Sequence, residues 1–382
     1  MDAGSTTVHY DGIWLMPYGC YEKGARVRKS DFKSEWPYGM LVLLVLNASF
    51  LSVRGSTPFQ EKATGGSVTE RTHQGRIEDA LDTVQRRYLT MGVHTPWQIM
   101  HGILALGDRM EVRVARGSDR VQASRYLFNP GGHSQQAIFE SASHGIRVKP
   151  SSDSQGHPDQ FLAILAQKGY PLETVVNLNN RRATIKELIT QAVAETGQHA
   201  ETSWTIIALC YYLGPEAQWT NQDSRRYSIE GLMDWELRQS VQKGACGGTH
   251  RLYALTFALN RYRSLRKPLR GVWRRADEKI RQYVKTAQSF QNTDGSFSSE
   301  YFSAPGWTNR FEDRLYTHGH TLEWMAIAVD PQQLTETWLV RAVDFLSADL
   351  VSNRKQSIEC GALYHAGHAL NLYQERRWLS SD

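Results

Sequence analysis

THRLYALTFALNRY (residues 249–262) and VWRRADEKIRQYVKTAQSF (residues 272–290) follow one another in the chain and read as two different kinds of helix. The first is apolar nearly all round, so as a helix it has to be covered on most faces. In the second, Trp273, Ala276, Ile280, Tyr283, Val284, Ala287 and Phe290 recur at helical spacing with Arg and Lys between them, giving one dry face and one wet face. Apolar segments of the first kind recur at 201–213 (ETSWTIIALCYYL), 319–329 (GHTLEWMAIAV) and 361–373 (GALYHAGHALNLY). Amphipathic segments of the second kind recur at 229–241 and 334–350, the latter with Leu339, Ala342, Val343, Leu346 and Leu350 on one stripe. Buried and half-buried helices thus alternate, a weak helical-hairpin repeat. A ring of inner helices wrapped by outer ones explains both kinds, because only inner helices are covered by neighbours on all sides. The expected fold is therefore mainly all-α, an α/α toroid of inner and outer helical pairs with fewer pairs than a full twelve-helix barrel.

Working outward, residues 96–106 (PWQIMHGILAL) read as a further inner helix, with 160–167 and 184–196 as helical companions. The rhythm breaks between 112 and 153, where VRVARG, FNPGGHS and HGIRVKP are alternating or Gly-rich; short strands or a long inserted loop are expected there. The toroid domain is expected over 76–382, with 1–75 as an N-terminal tail and linker around the apolar run 40–53 (MLVLLVLNASFLSV). That run has the length of a signal-peptide h-region and is short for a membrane span. Arg26, Arg28, Lys29 and Lys33 precede it, so export or membrane anchoring through 40–53 is one expectation and a buried helix or strand the other. A cytoplasmic protein is compatible with the second.

The chain has 382 residues, 41% of them apolar, enough for a sizeable core. Its 44 Lys and Arg against 39 Asp and Glu leave a formal charge of +5, concentrated only at 261–275 (RYRSLRKPLRGVWRR). That run reads as a solvated rim, and no nucleic-acid partner is expected from so small an excess. Four cysteines, Cys20, Cys210, Cys246 and Cys360, lie far apart without a C-x-x-C pair, so spacing indicates neither a disulfide framework nor a zinc ribbon. Oligomeric state is not written in the sequence.

The amphipathic segment before residue 290 ends in QNTDGSF (291–297), in which Asn292 and Asp294 can bond nearby backbone, Gly295 can take a positive φ and Phe297 can dock back. With Gln288 or Gln291, Gly295 and Phe297, this stretch resembles the repeat of the terpenoid-cyclase and protein-prenyltransferase superfamily, whose outer helices end in Gln and a Gly-x-aromatic turn. The resemblance implies the prenyltransferase-like toroid over roughly the last two-thirds of the chain. It implies less about activity, because the Asp-x-Asp-Asp acid motif of squalene-cyclase-like enzymes and the Asp-x-Cys zinc signature of prenyltransferase β-subunits are both missing. Toroids of this kind also serve polysaccharide lyases and glycosidases.

Polar residues gather where the apolar helices begin. Cys246 and His250 are four apart, His320 and Glu323 three apart, and His365 and His368 three apart, so each pair shares a helix face. Glu201 and Ser203 open a fourth such helix. If these helices point the same way, their polar residues converge with Trp204, Trp324 and Tyr364 on one pocket. In an acid/base pocket His250, His320 or Glu323 would serve as base and Tyr364 or His365 as acid, with Glu201, Trp204, Trp324 and His368 binding substrate. In a metal site Cys246, His250, His320 and His365 would be the ligands, of a kind suited to zinc. Capping and packing of buried polar groups is the alternative for the whole set. His101, alone on an apolar helix, reads as a core residue, and His157 and Gln160 as helix caps. The expected function is an enzyme acting on a saccharide or other polar polymer as a lyase or hydrolase. The alternatives are a non-catalytic toroid binding a peptide, glycan or isoprenoid, and a cyclase-like isomerase without the usual acid motif.

Overall fold

A computed structural model describes residues 68–379 apart from 115–118, 130–137, 179–180 and 200. The apolar run 40–53 lies outside the described residues. Among those described, the chain is mainly helical, with twelve α-helices and four small sheets. The first helix, α1 (Val68–Gln85), begins within residues read above as linker.

The apolar segments form α2 (Pro96–Leu106), α4 (Gln160–Gln167), α6 (Ser203–Leu213), α8 (Thr249–Arg263), α10 (Phe311–Ala328) and α12 (Cys360–Gln374). Between them come α3 (Ala123–Phe128), α5 (Ile185–Glu195), α7 (Ile229–Arg238), α9 (Gly271–Ser289) and α11 (Thr337–Ser352). The two classes differ in burial as their periodicity requires. In α12 every residue from Cys360 to Asn371 is buried, whereas α9 buries Trp273, Ala276, Ile280, Val284 and Ala287 and leaves its charged face wet. On α11 the expected stripe, Leu339 to Leu350, is buried along its length.

Packing follows the even-numbered helices in order: α2 contacts α4, α4 contacts α6, α6 contacts α8, α8 contacts α10, α10 contacts α12, and α12 contacts α2. The odd-numbered helices lie against this set, α1 on α11 and α12, α9 on α8 and α10, α5 on α6. The contact between α10 and α12 is the most extensive. Gly319 makes it possible, since a Cβ there would press on Ala366 at 3.2 Å.

The insertion after α2 contains the expected short strands. β2 (Glu111–Arg113) pairs parallel with β1 (Leu89–Thr90) and antiparallel with β3 (Arg120–Gln122); β4 (Phe139–Ala142) pairs antiparallel with β5 (Gly145–Val148). Two further hairpins, β6 (Val175–Leu178) with β7 (Arg181–Thr184) and β8 (Gln218–Thr220) with β9 (Arg226–Ser228), were not anticipated.

The QNTDGSF turn forms as its residues dictate. Gly295 has φ +98°, Asp294 Oδ1 accepts the Ser296 N–H at 2.9 Å, and the Gln291 amide donates to the Trp338 carbonyl at 2.8 Å. Phe297 docks against His318 and Trp338, and its own N–H donates to His318 Nδ1 at 2.9 Å. No described helix is long and apolar enough to cross a membrane.

Candidate functional site

Cys246 reaches its position through a backbone few sequences can adopt. Cys246, Gly247 and Gly248 are consecutive left-handed residues, at φ +48°, +64° and +90°. A Cβ on Gly247 would run into the Tyr301 ring, and one on Gly248 into the Val241 carbonyl, so both positions require glycine. A non-glycine residue held in this region is a cost that clusters at working sites. The coil ends on Thr249, whose hydroxyl donates to the Cys246 carbonyl at 2.8 Å, and α8 then carries His250 in its first turn.

Around His250 the imidazoles crowd together. Its ring lies 4.8 Å from that of His157, 5.9 Å from His320 and 6.4 Å from His365, centre to centre. His320 and His365 are 4.0 Å apart, and His101 stands 5.3 Å from His365. His101, His250, His320 and His365 are buried on α2, α8, α10 and α12, and half-buried His157 comes from the loop before α4.

Most of these rings are fixed in the same tautomer. His101 Nδ1 is 2.7 Å from the Trp97 carbonyl and His320 Nδ1 2.8 Å from the Tyr316 carbonyl, each one helical turn back. His157 Nδ1 is 2.6 Å from Glu201 Oε2. Glu323 takes His365 Nδ1 at 2.7 Å on one oxygen and His368 Nδ1 at 2.6 Å on the other. Carbonyls and carboxylates only accept, so in the neutral ring the proton sits on Nδ1 and Nε2 keeps its lone pair. His250 is the exception: neither of its nitrogens has a hydrogen-bond partner among the described residues. Glu201 Oε1 stands 3.4 Å from His250 Nδ1, close enough for charge attraction but outside hydrogen-bond geometry.

The electrostatics sort these groups into opposites. Burial pushes the Cys246 thiol up, but the neighbouring His250 and His320 outweigh it and hold the thiol well below its ordinary value. Burial pulls His250 down, and Cys246 and Glu201 more than reverse that, raising it well above the usual imidazole range. His365 is pushed down to about 3 by burial, with His250 and His157 adding to the effect. His101 and His320 are lowered by burial and by the facing His365. Burial likewise brings His368 to about 4. Cys246 and His250 thus each favour the charged form of the other, while burial favours the neutral form of the imidazoles around them. The cavity bordered by His250, His320 and His365 is narrow, with room for little more than a water-sized group, and its walls include Leu104, Trp204, Ile207, Thr249, Tyr253 and Glu323.

Comparison with known proteins gives no match among family models, curated proteins or solved structures.

Of the residues singled out in the sequence, Cys246, His250, His320, His365, Glu323, Glu201 and Trp204 come together, and His368 joins them through Glu323. Two do not. Tyr364 turns away: its hydroxyl donates to the Arg87 carbonyl at 3.3 Å, toward the α1 side of α12. Trp324 donates its indole N–H to Thr256 Oγ1 at 2.9 Å and packs edge-on against Phe302, a packing role. The reason is rotational, since a residue next to His365 or Glu323 in a helix points about 100° away. His320 also sits deeper than expected, because α10 starts at Phe311 rather than near Gly319.

Three further residues join the cluster. His101 is buried in the core and Gln160 Oε1 accepts the Gly156 N–H at 2.9 Å ahead of α4, as read from the sequence, but Gln160 Nε2 also reaches His101 Nε2 at 3.5 Å, and His157, read as a cap, pairs with Glu201. The available signal was repetition: His101 belongs to an apolar helix, as His250, His320 and His365 do.

Proposed function

We propose that the chain is an enzyme of α/α-toroid architecture that carries out proton-transfer chemistry, hydrolytic or group-transferring, on a small polar substrate in the histidine-lined cavity. The cyclic order of contacts from α2 through α12 and back to α2 supports six inner helices, with the remaining helices as an outer layer: one inner helix more than the five read from sequence, and the number of a full twelve-helix barrel where fewer were expected. A shared direction of those inner helices accounts for side chains near the starts of α2, α8 and α12 meeting residues just before α4 and α6.

The observation that carries the functional reading is His250, a buried imidazole with both nitrogens unpartnered, amid four further imidazoles. A packing role would select an apolar ring there, because an unsatisfied buried polar group costs about 1–3 kcal/mol. Environments that drive neighbouring pKa values apart assign the proton donor and acceptor. On that rule His250 donates, and the Cys246 thiolate accepts or attacks. Glu201 and Glu323 hold His157 and His365 with Nε2 facing the reacting group and stabilise them if they take up a proton. A cavity with room for little more than a water-sized group admits the reacting group of a small molecule but not a polymer strand, and its imidazole and carboxylate lining fits polar groups better than isoprenoids.

The test is comparative metabolite profiling. Wild-type protein and a His250→Leu, His320→Leu variant are incubated with a complex small-molecule extract and followed by mass spectrometry. The reading expects at least one compound consumed, with its product formed, by wild type alone. Identical profiles would defeat it, and a compound retained unchanged on the wild type would favour the binding-protein alternative.

A further inference from the structure

The geometry points to a zinc-class metal ion held by Cys246, His250 and His320, with the cavity side of the ion left open to substrate or water. This deepens the proposal above and rests on the histidine-lined cavity being the working site; with an ion bound, Cys246 and His250 are its ligands, and His157 and His365 are the groups left to move protons.

Four observations converge on it. One ligand atom from each of Cys246, His250 and His320 lies within 4.8 Å of the other two, a spacing that small side-chain rotations close onto one ion. His320 is already fixed with Nε2 as the lone-pair nitrogen, since Nδ1 is engaged by the Tyr316 carbonyl 2.8 Å away. His250, buried and with neither nitrogen partnered, lacks something that a cation would supply. The thiol is delivered by a left-handed Cys-Gly-Gly coil that the rest of the fold over-determines, with the Tyr316 hydroxyl 3.2 Å from Sγ.

The donor set names the class of ion. A thiolate with two neutral imidazoles suits zinc and similar borderline ions, and poorly suits calcium or magnesium, which require oxygen ligands. Three protein ligands are the arrangement of a catalytic rather than a structural zinc, the fourth place being free for water or substrate. On binding, the one proton held by the Cys246–His250 pair passes to solvent, so that Cys246 binds as the thiolate and His250 as the neutral ring.

A second trio, His157, Glu201 and His250, also brings its ligand atoms within 4.8 Å. There the 2.6 Å contact between His157 Nδ1 and Glu201 Oε2 is filled by a proton, so this trio is the supporting layer. Glu201 Oε1 stands 3.4 Å from His250 Nδ1, on the side from which a small shift would let a carboxylate brace a metal-bound imidazole.

The full chain is stripped with chelator, titrated with zinc and separately with cobalt(II), and read by elemental mass spectrometry and absorption. A single tightly bound ion and a thiolate-to-cobalt charge-transfer band in the near ultraviolet are expected. The band should be lost in Cys246→Ser, and zinc affinity should fall roughly a hundredfold or more in Cys246→Ser and His320→Gln. Glu201→Gln, which alters no ligand, keeps the band and weakens binding by about 10–100-fold, which guards against a ligand variant that fails to fold. Absence of stoichiometric metal in wild type, or a cobalt spectrum unchanged by Cys246→Ser, would overturn the inference. If stripped protein consumes the same compound as untreated protein, the metal is refuted while the cavity stands; if wild type and the His250→Leu, His320→Leu variant give identical profiles, the cavity reading itself is what failed.

Discussion

Glu236, on α7, is fully buried and serves the starts of α6 and α8 at once. Its Oε1 accepts the Thr202 N–H at 3.1 Å and the Thr202 hydroxyl at 2.7 Å, while Oε2 pairs with Arg251, whose side chain is 12% exposed. Thr202 follows Glu201 and Arg251 follows His250, so one carboxylate sets the backbone that carries both. Glu236→Gln keeps an oxygen for Thr202 and takes the counter-charge from Arg251, leaving its guanidinium at the edge of the core with the Ser240 carbonyl but no carboxylate. Removing one partner of a buried pair costs about 3–5 kcal/mol, and the small exposure of Arg251 places this case near 3. For a chain of this size that is a fall of about 6 °C in the melting temperature. Arg251→Met alone should cost a similar amount by stranding Glu236. The double variant should lose far less than the sum, because an apolar pair of similar volume is often neutral. The assay is a thermal or urea double-mutant cycle, with a coupling of at least about 2 kcal/mol expected. Coupling below about 0.5 kcal/mol would show that the carboxylate holds neither helix start.

Gly248→Ala should cost at least about 2 kcal/mol, from the left-handed backbone and the collision with the Val241 carbonyl, and should change the alkylation rate of Cys246; a melt with thiol labelling checks both. Burial lowers Lys168 to about 8, against the pull of Glu375 and Glu323. Between pH 8 and about 10.4 the unfolded chain binds the proton and the folded chain does not, so stability rises with pH across that window. Lys168→Met should therefore stabilise the protein at pH 7, by at most about 3 kcal/mol and less for a half-buried side chain, and the gain should vanish toward pH 10 in melts run along the pH series. Tyr364→Phe should leave metabolite consumption unchanged and shift stability by no more than about 1 kcal/mol, because its hydroxyl bonds a backbone carbonyl away from the cavity.

The helices were legible because their burial is written in periodicity: the all-round apolarity of 361–373 and the stripe Trp273, Ala276, Ile280, Val284, Ala287 each admit one environment. The site was legible where polar residues interrupt an apolar helix, as at His250, His320 and His365. It was less legible where the partner comes from a loop. Nothing near His157 in sequence announces that it will meet Glu201, 44 residues on. Tyr364 and Trp324 were misread because adjacency in sequence was taken for adjacency in space, and a helix separates neighbours by a quarter turn or more. The left-handed Cys-Gly-Gly coil shows in the sequence only as two glycines. What they avoid, the Tyr301 ring and the Val241 carbonyl, arrives through tertiary packing.

The most direct test of the account is the melting temperature of the chelator-treated His250→Leu, His320→Leu variant against chelator-treated wild type. If the imidazoles are kept for chemistry, removing His250 relieves two unsatisfied buried nitrogens and offsets the one hydrogen bond lost with His320, and the variant melts at the wild-type temperature or a few degrees above it. A fall of about 10 °C or more would mean that the rings hold the fold together, and would contradict the claim that this cavity is the working centre of the protein.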